Sequence, residues 1–462
     1  MKLSIQNFLI KGRWLSLISA CLFILFACSK DPVPDPGPTG QEGSEGGGTA
    51  VDSDPESTEY YQYGLGKLEI VTEGRVDITS KEDYVGCTAT LNGGGNFSYR
   101  FALPGKIRGR GNSTWFWYPK KPYRLKLDKA SKMMGMKSNR DWVLLADFRD
   151  VTHMMNNVAF TMAHELGLPH ANRSRYVQLV INGSSKGLYM ITEQVEEGGH
   201  RVTLDASSGM LIALDMNDGP GENPSATDNF WSEVFGMACA VKYPKDVNAS
   251  DKARVRSALG DLEKAINTRN WNSIQSLLDV DAMINYILIQ EIISNGELDN
   301  NPSMRSGYIH RKSSADKWVM GPMWDADAGF GYDASDMFNV NGMCHTYFVH
   351  NQVLVFGTEP FYHKGAMNGT ASDFFCRLFG IPEFVRLLKE RWNSRKDSLL
   401  EAVLNQIKLT EAQISSAAAF DASLWGITNF THSAEVAKLK VYLKNRFAYL
   451  DTIIPNYPEY LP

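Results

Sequence analysis

Strand-like and helix-like patterning are segregated along this chain, and that segregation limits its fold more than any other feature. From Gly64 to about Asp128, branched and apolar residues recur with a period near two. The runs are Leu68-Glu69-Ile70-Val71-Thr72, Thr88-Ala89-Thr90-Leu91 and Tyr99-Arg100-Phe101-Ala102, with Asn92-Gly93-Gly94-Gly95-Asn96 as a turn. Ile107 to Asp128 then reads as strand, glycine turn, strand. A helix follows, with Met154, Val158, Met162 and Leu166 on one face. Tyr176–Ile181 and Gly187–Ile191 flank Asn182-Gly183 as a hairpin.

Beyond that hairpin the period becomes helical. Asn217 to Asn229 is a polar loop. Val255, Leu259, Leu262 and Ile266 share a helical face, and Met283, Ile284, Ile287, Leu288 and Ile292 form a stripe wide enough for a buried helix. Short strands at Gly307–His310 and Trp318–Met320 lead into Trp324-Asp325-Ala326-Asp327, and the chain is helical from the Phe384 region to Ile454. Strands followed by helices predict an α+β architecture of two lobes, a β-rich one over about 59–195 and a mostly helical one over about 196–455.

The first residues read as a targeting segment. Lys2, Lys11 and Arg13 precede an apolar run from Trp14 to Ala27, too short for a comfortable membrane span. Leu25-Phe26-Ala27-Cys28 resembles a bacterial lipobox, which predicts a signal peptide over 1–27, lipidation of Cys28 and membrane attachment through that lipid only. Residues 28–58 are rich in Pro, Gly, Ser, Asp and Glu and cannot bury enough surface to order themselves, so they read as a tether. Lys30-Asp31 resembles signals of Bacteroides-type lipoproteins, placing the body at the outer membrane, surface-exposed or periplasmic. Cys87, Cys239, Cys344 and Cys376 would remain in the body, with disulfides and isolated thiols both open. The formal net charge of −5 argues against a nucleic-acid partner.

Four strings carry chemistry. In Ile107-Arg108-Gly109-Arg110-Gly111-Asn112-Ser113-Thr114-Trp115, glycines permit backbone N–H groups to approach a polyanion, and Arg108 and Arg110 suit phosphate; a plain hairpin turn also fits. In Pro119-Lys120-Lys121-Pro122-Tyr123-Arg124-Leu125-Lys126-Leu127, Arg124 and Lys126 share one strand face, an arrangement equally suited to a solvated edge. Asn295-Gly296-Glu297-Leu298-Asp299-Asn300-Asn301 follows the apolar helix, where acid and amide groups suit a general base and Mg²⁺ ligands, or simply a helix stop. Asp325 and Asp327 are separated by one residue, and like charges so close are costly unless a cation or proton intervenes.

Together these strings, with Trp142-Val143-Leu144-Leu145-Ala146, Gly187-Leu188-Tyr189, Glu193-Gln194-Val195 and Phe330-Gly331, resemble the CotH kinase family over about Leu68 to Leu450. The resemblance implies an atypical protein-kinase-like fold using ATP and Mg²⁺ or Mn²⁺ to phosphorylate exported proteins. By position, Gly109–Thr114 would cover phosphates and Lys121 or Lys126 would bind them, with Glu193 as the lysine's partner. Asp299 would be catalytic, and Asp325, Asp327 and Asn301 would hold metal. The chain departs from the family at Met155-Asn156, where an Arg-Asn pair is usual, and at Ser306, where an amide is usual. Two other readings compete: a pseudokinase-like surface protein that binds a protein or glycan, and a metal-dependent hydrolase, disfavoured because the nine histidines form no tight motif.

Overall fold

A computed structural model of the chain describes residues 65–94, 97, 100–295, 304–332, 347–348, 352, 354–355 and 370–457. The targeting segment, the tether, Cys28 and Cys344 lie outside them. Cys87 and Cys239 are buried free thiols, and Cys376 is buried as well. Among the described residues no helix is long and apolar enough to cross a membrane.

The β-rich half closes into a seven-stranded barrel. Its strands are β1 (Gly66–Thr72), β2 (Val85–Asn92), β3 (Arg100–Gly109), β4 (Tyr123–Met133), β5 (Met136–Leu145), β6 (Ser174–Ile181) and β7 (Ser184–Glu193). They run in the order β1-β2-β3-β4-β5-β7-β6, with parallel pairing of β1 and β6 completing the ring. Alternation selects the interior. Leu68 and Ile70, Leu125 and Leu127, Trp142 and Leu144, Val177 and Leu179, and Tyr189 and Ile191 are all sealed from water in one core. A short helix, α1 (Ser113–Trp117), interrupts the β3–β4 connection, and α2 (Met155–Glu165) follows β5.

The second half holds more strand than its sequence suggests. A five-stranded sheet, ordered β12-β11-β8-β10-β9, is built from β8 (Met210–Leu214), β9 (Asn229–Trp231), β10 (Ala238–Tyr243), β11 (Gly307–Arg311) and β12 (Trp318–Met320). Only β11 and β12 were expected. Every residue of β8 is buried, so the strand shows no alternation by which to recognise it. The helices are α3 (Ala249–Asn267), α4 (Trp271–Leu277), α5 (Val280–Ile293), α6 (Thr370–Cys376), α7 (Pro382–Trp425) and α8 (His432–Ile453). α3 opens with a reciprocal cap between Asn248 and Asp251. In α5 every residue from Ala282 to Ile293 is buried, as its wide apolar stripe requires. The architecture is therefore α+β, with a β-rich N-terminal region and a helical C-terminal region.

The end of α7 docks on the barrel. Asp421 Oδ1 lies 2.8 Å from Lys120 Nζ, and it accepts the Leu188 N–H at 2.8 Å. Lys120 also donates to the Leu188 carbonyl at 2.6 Å and sits 4.7 Å from the Tyr189 ring centroid. One helical turn on, the Trp425 indole donates to the Lys186 carbonyl at 3.1 Å. Gly187, at φ +88°, is required here: a Cβ would fall on the Asp421 carboxylate. The Lys120 and Asp421 side chains are 0% and 1% exposed. Removing one partner strands a buried charge, so Asp421→Ala should cost about 3–5 kcal/mol in denaturant unfolding; a loss below about 1 kcal/mol would show that the pair is not the joint between barrel and helices.

His310 on β11 gives the fold a pH dependence. Its Nδ1 donates to the Gly321 carbonyl at 3.1 Å, and burial with the neighbouring His170 ring pushes its pKa down to about 3. Below pH 6.5 the unfolded chain binds a proton that the folded one refuses, so stability falls as pH drops from about 6.5 to about 3. We predict a neutral His310 ring by NMR at pH 5, and a shallower acid limb in His310→Asn. A ring titrating near its usual value would contradict this.

Candidate functional site: a two-walled cleft

A cleft of about 1050 Å³ runs between the barrel and the second sheet. Its barrel wall is basic. Arg108 and Arg110 come from the end of β3 and the turn after it, Lys120 from the approach to β4, and Arg124 from β4 itself. The opposite wall is acidic, with Asp215 and Asp218 after β8 and Asp325 and Asp327 after β12. Asp147 and Arg149, from the loop joining β5 to α2, also line it. Such a division of charge suits a ligand that presents anionic oxygens to one side and a cation to the other.

The glycine turn reaches this cleft as expected: Arg110, Gly111, Asn112, Ser113 and Thr114 all line it. The glycines have local reasons, however. A Cβ on Gly109 would strike the Trp115 ring, and Gly111, at φ +82°, faces the Thr114 hydroxyl. The Asn112 side chain accepts from Lys81 Nζ at 2.7 Å, and Arg108 donates to the Lys81 and Gly109 carbonyls. Lys81 thus pins the turn from the loop before β2, a long-range contact with no local signature in sequence.

Arg110 joins the walls. Its guanidinium lies 5.4 Å from the Trp324 ring centroid. Burial lowers its pKa, and the Asp325 charge opposes that fall. The glycine turn and the double-aspartate segment therefore face one another in one cleft.

Two of the expected lysines do not. Lys121 donates to the Trp115 carbonyl at 2.5 Å and stacks on that ring, outside the cleft lining. Lys126 shares a face with Arg124, as the strand period requires. Both reach Asp141, at 3.4 Å and 2.7 Å respectively, but only Arg124 lines the cleft. From the basic run, the residues that line the cleft are Lys120, one residue before Lys121, and Arg124, two residues before Lys126. Glu193 is likewise corrected. Its Oε1 lies 2.9 Å from Arg201 Nη1 and its Oε2 accepts the Arg173 N–H at 2.8 Å, so its partner is an arginine, in a separate cavity.

The acidic wall is built with backbone strain. Asp325 and Ser306 have φ of +55° and +58°, and the Ser306 hydroxyl donates to Asp325 Oδ2 at 3.3 Å. Ser306 therefore occupies the neighbourhood of the aspartate pair, where an amide is usual. Its N–H donates to Asp215 Oδ2 at 2.9 Å. Asn156 of α2 holds the next residue, its Oδ1 accepting the Ala326 N–H at 2.8 Å. The Asp327 pKa is pushed up to about 7 by burial and by Asp325, with which it shares a hydrogen bond; Arg149 opposes the rise. Asp299 and Asn301 lie outside the described residues, though Ser294 and Arg305 on either side of that stretch line the cleft.

Asp147 was not singled out from sequence. It is 7% exposed, has φ of +46°, and its Oδ2 has no hydrogen-bond partner among the described residues. Burial and Asp150 raise its pKa, while Lys120 and Asn156 lower it. Asp150, by contrast, is consumed by the start of α2, accepting from the N–H groups of Thr152 and Met155. A Phe-Arg-Asp sequence after a buried strand offers no pattern that separates the two aspartates.

These contacts rank the basic residues. We predict that Arg124→Ala weakens binding of inorganic triphosphate in the cleft by about 10- to 100-fold, the loss of a charge-assisted hydrogen bond. Lys126→Ala should change it less than about 3-fold, as for an exposed ion pair. Calorimetric titration decides between them, and equal losses in the two variants would contradict the assignment.

Comparison with known proteins matches residues 107–450 to the family described as CotH kinase protein. Among solved structures, the Helicobacter pylori proinflammatory kinase CtkA aligns at 10% identity and a TM-score of 0.30, over 72% of this chain and 92% of that one. No curated protein matches. The family match spans the glycine turn, the basic strand and the double aspartate, and the chain belongs to the CotH kinase family, a kinase-like protein.

Proposed function

We propose that this protein transfers a phosphoryl group from ATP, with Mg²⁺ or Mn²⁺, to a hydroxyl on an exported protein. The observation that carries the reading is Arg110, which spans from the glycine turn to the Trp324–Asp327 segment and so gives a triphosphate and its cation a common cleft. Kinase-like proteins of this family use ATP and a divalent metal in general; acceptor, metal identity and surface attachment through Cys28 are proposals.

The residues fit a hard divalent cation. Asp325 and Asp327 are carboxylates in hydrogen-bond contact, and such a pair is relieved by a cation. Among the described residues no group of three or more His, Cys, Asp or Glu side chains converges as a complete metal cage. Mg²⁺ is commonly held by one or two carboxylates together with phosphate oxygens and water, so two ligands suffice. Asp325 and Asp327 would hold it, and it would neutralise charge developing on the transferred phosphoryl group.

The remaining work falls to the chain. Arg108, Arg110 and Arg124 present fixed positive charge to the phosphates. Ser306 and Asn156 hold the aspartate segment in its strained form, so little reorganisation is needed when ligand binds. Asp299 is proposed to orient the acceptor hydroxyl. Phe116 and Trp117 line the cleft while 64% and 50% exposed, and they favour a second reading in which the cleft holds a protein or glycan partner without transfer.

The test incubates the full chain with labelled ATP, Mg²⁺ or Mn²⁺ and a generic protein acceptor. Transfer is expected, falling at least about 100-fold in Asp327→Asn and Asp299→Ala. Transfer undiminished in both variants would remove the assigned site. Glycan binding with no ATP-dependent thermal shift would favour the second reading instead.

A further inference from the structure

A second cavity, of about 350 Å³, lies behind β7 and is separate from the cleft, although Gln194 lines both. Its charge is one-sided. Lys137, Arg173 and Arg201 line it, joined by His164, His170 and His200, and Glu193 is the single acidic side chain in its described lining. That carboxylate is already engaged at both oxygens, by Arg201 Nη1 and by the Arg173 N–H. Two fixed cations therefore face the cavity with no lining acid left to match them.

Arg201 adds an independent observation. It is 7% exposed and fastened on several sides: to Glu193 at 2.9 Å, to the His200 carbonyl at 3.1 Å and to the Asp141 carbonyl at 3.4 Å, with its guanidinium 4.9 Å from the Trp142 ring centroid. Yet its Nε–H has no partner, and neither has the buried Nε of Arg173. A buried donor left unmade costs about 1–3 kcal/mol, so the protein's own acceptors match these two guanidinium groups incompletely. The histidines feel the same excess. After burial, Arg173 and Arg175 lower the His164 pKa to about 4, the Asn172 carbonyl opposing. Lys137 adds to burial in lowering that of His170, against a hydrogen bond to the Arg201 backbone.

We propose that this cavity binds a phosphate-type oxyanion, held by Arg201 and Arg173 with Lys137 at its side. A tetrahedral dianion supplies enough charge for both unmatched cations among Lys137, Arg173 and Arg201, which line the cavity. A site of this volume holds inorganic phosphate or a phosphorylated side chain, and both present the same oxygens. The inference is independent of phosphoryl transfer in the cleft. It does place an anion close to it, because the Asp141 whose carbonyl meets Arg201 also carries Arg124 on its carboxylate.

The histidines make the test site-specific, since none lines the cleft. In the full chain, inorganic phosphate and O-phosphoserine are titrated while the His164, His170 and His200 ring signals are followed by NMR, with chloride matching ionic strength. Saturation at millimolar ligand is expected, with at least one of these rings rising by about half a pKa unit or more as added negative charge favours imidazolium. The response should vanish in Lys137→Ala/Arg173→Gln and persist in Arg108→Ala/Arg124→Ala. The lower half-saturation concentration identifies a free phosphate or a phosphorylated side chain as the better occupant. No ring response by about 20 mM, the same response to chloride, or its survival in the Lys137/Arg173 variant would overturn the proposal. Lys137 is partly exposed, and circular dichroism of the variant establishes that lost response is not lost fold.

Discussion

Lys120 and Asp421 meet with both side chains out of water, and the geometry of the cleft depends on that meeting. The ammonium is anchored by a carboxylate from the far end of a 44-residue helix and by the Leu188 carbonyl of β7. One atom, Asp421 Oδ1, serves both the lysine and the Leu188 N–H of β7, so the approach to β4, the hairpin and the long helix are held in one arrangement. Burying this pair is costly, and the contacts through Lys120 Nζ and Asp421 Oδ1 offset that cost, while Asp421 Oδ2 has no hydrogen-bond partner among the described residues and lies 3.7 Å from His153 Nε2. Lys120 simultaneously lines the cleft and lowers the pKa of Asp147. The joint between barrel and helices is thus also part of the cleft wall.

From that joint the site follows in layers. The barrel presents arginines from adjacent strands, because β3 and β4 pair Arg108 with Arg124 directly. The second sheet presents aspartates from the ends of β8 and β12. Strained residues occur where these walls meet, although others are spread along the chain: Asp147, Ser306 and Asp325 all have left-handed backbone conformations. Each carries a side chain that faces the cleft lining rather than a glycine, so the strain accompanies chemistry at these positions. Phosphoryl transfer needs such a site because its catalysis is mostly positioning and charge stabilisation.

Much of this was legible in the sequence, for identifiable reasons. The barrel strands β1 and β2 alternate, because one face is buried and the other is not, while β6 and β7 are apolar runs legible through the Asn182-Gly183 turn between them. α3 and α5 advertise themselves through helical stripes. The glycine turn and the aspartate pair were readable because both are locally expensive and so imply a purpose. What sequence could not provide was direction. Lys120, Lys121, Arg124 and Lys126 look alike in a basic run, and only the fold shows that Lys121 turns to Trp115 while Lys120 turns inward. Glu193 was matched with a lysine by analogy, yet Arg201, eight residues on, takes it. Asp147 lacked a signature because its importance comes from burial without a partner, a property of packing. β8 was hidden for the opposite reason, being uniformly buried.

The central claim is that the arginine wall and the Asp325–Asp327 segment hold a nucleotide triphosphate and its cation between them. Anomalous diffraction from crystals of the protein with Mn²⁺ and a non-hydrolysable ATP analogue tests it most directly. The account predicts a manganese peak against the Asp325 and Asp327 carboxylates, with analogue phosphates facing Arg108, Arg110 and Arg124. Ordered nucleotide elsewhere on the molecule, with that segment bare of manganese, would contradict it.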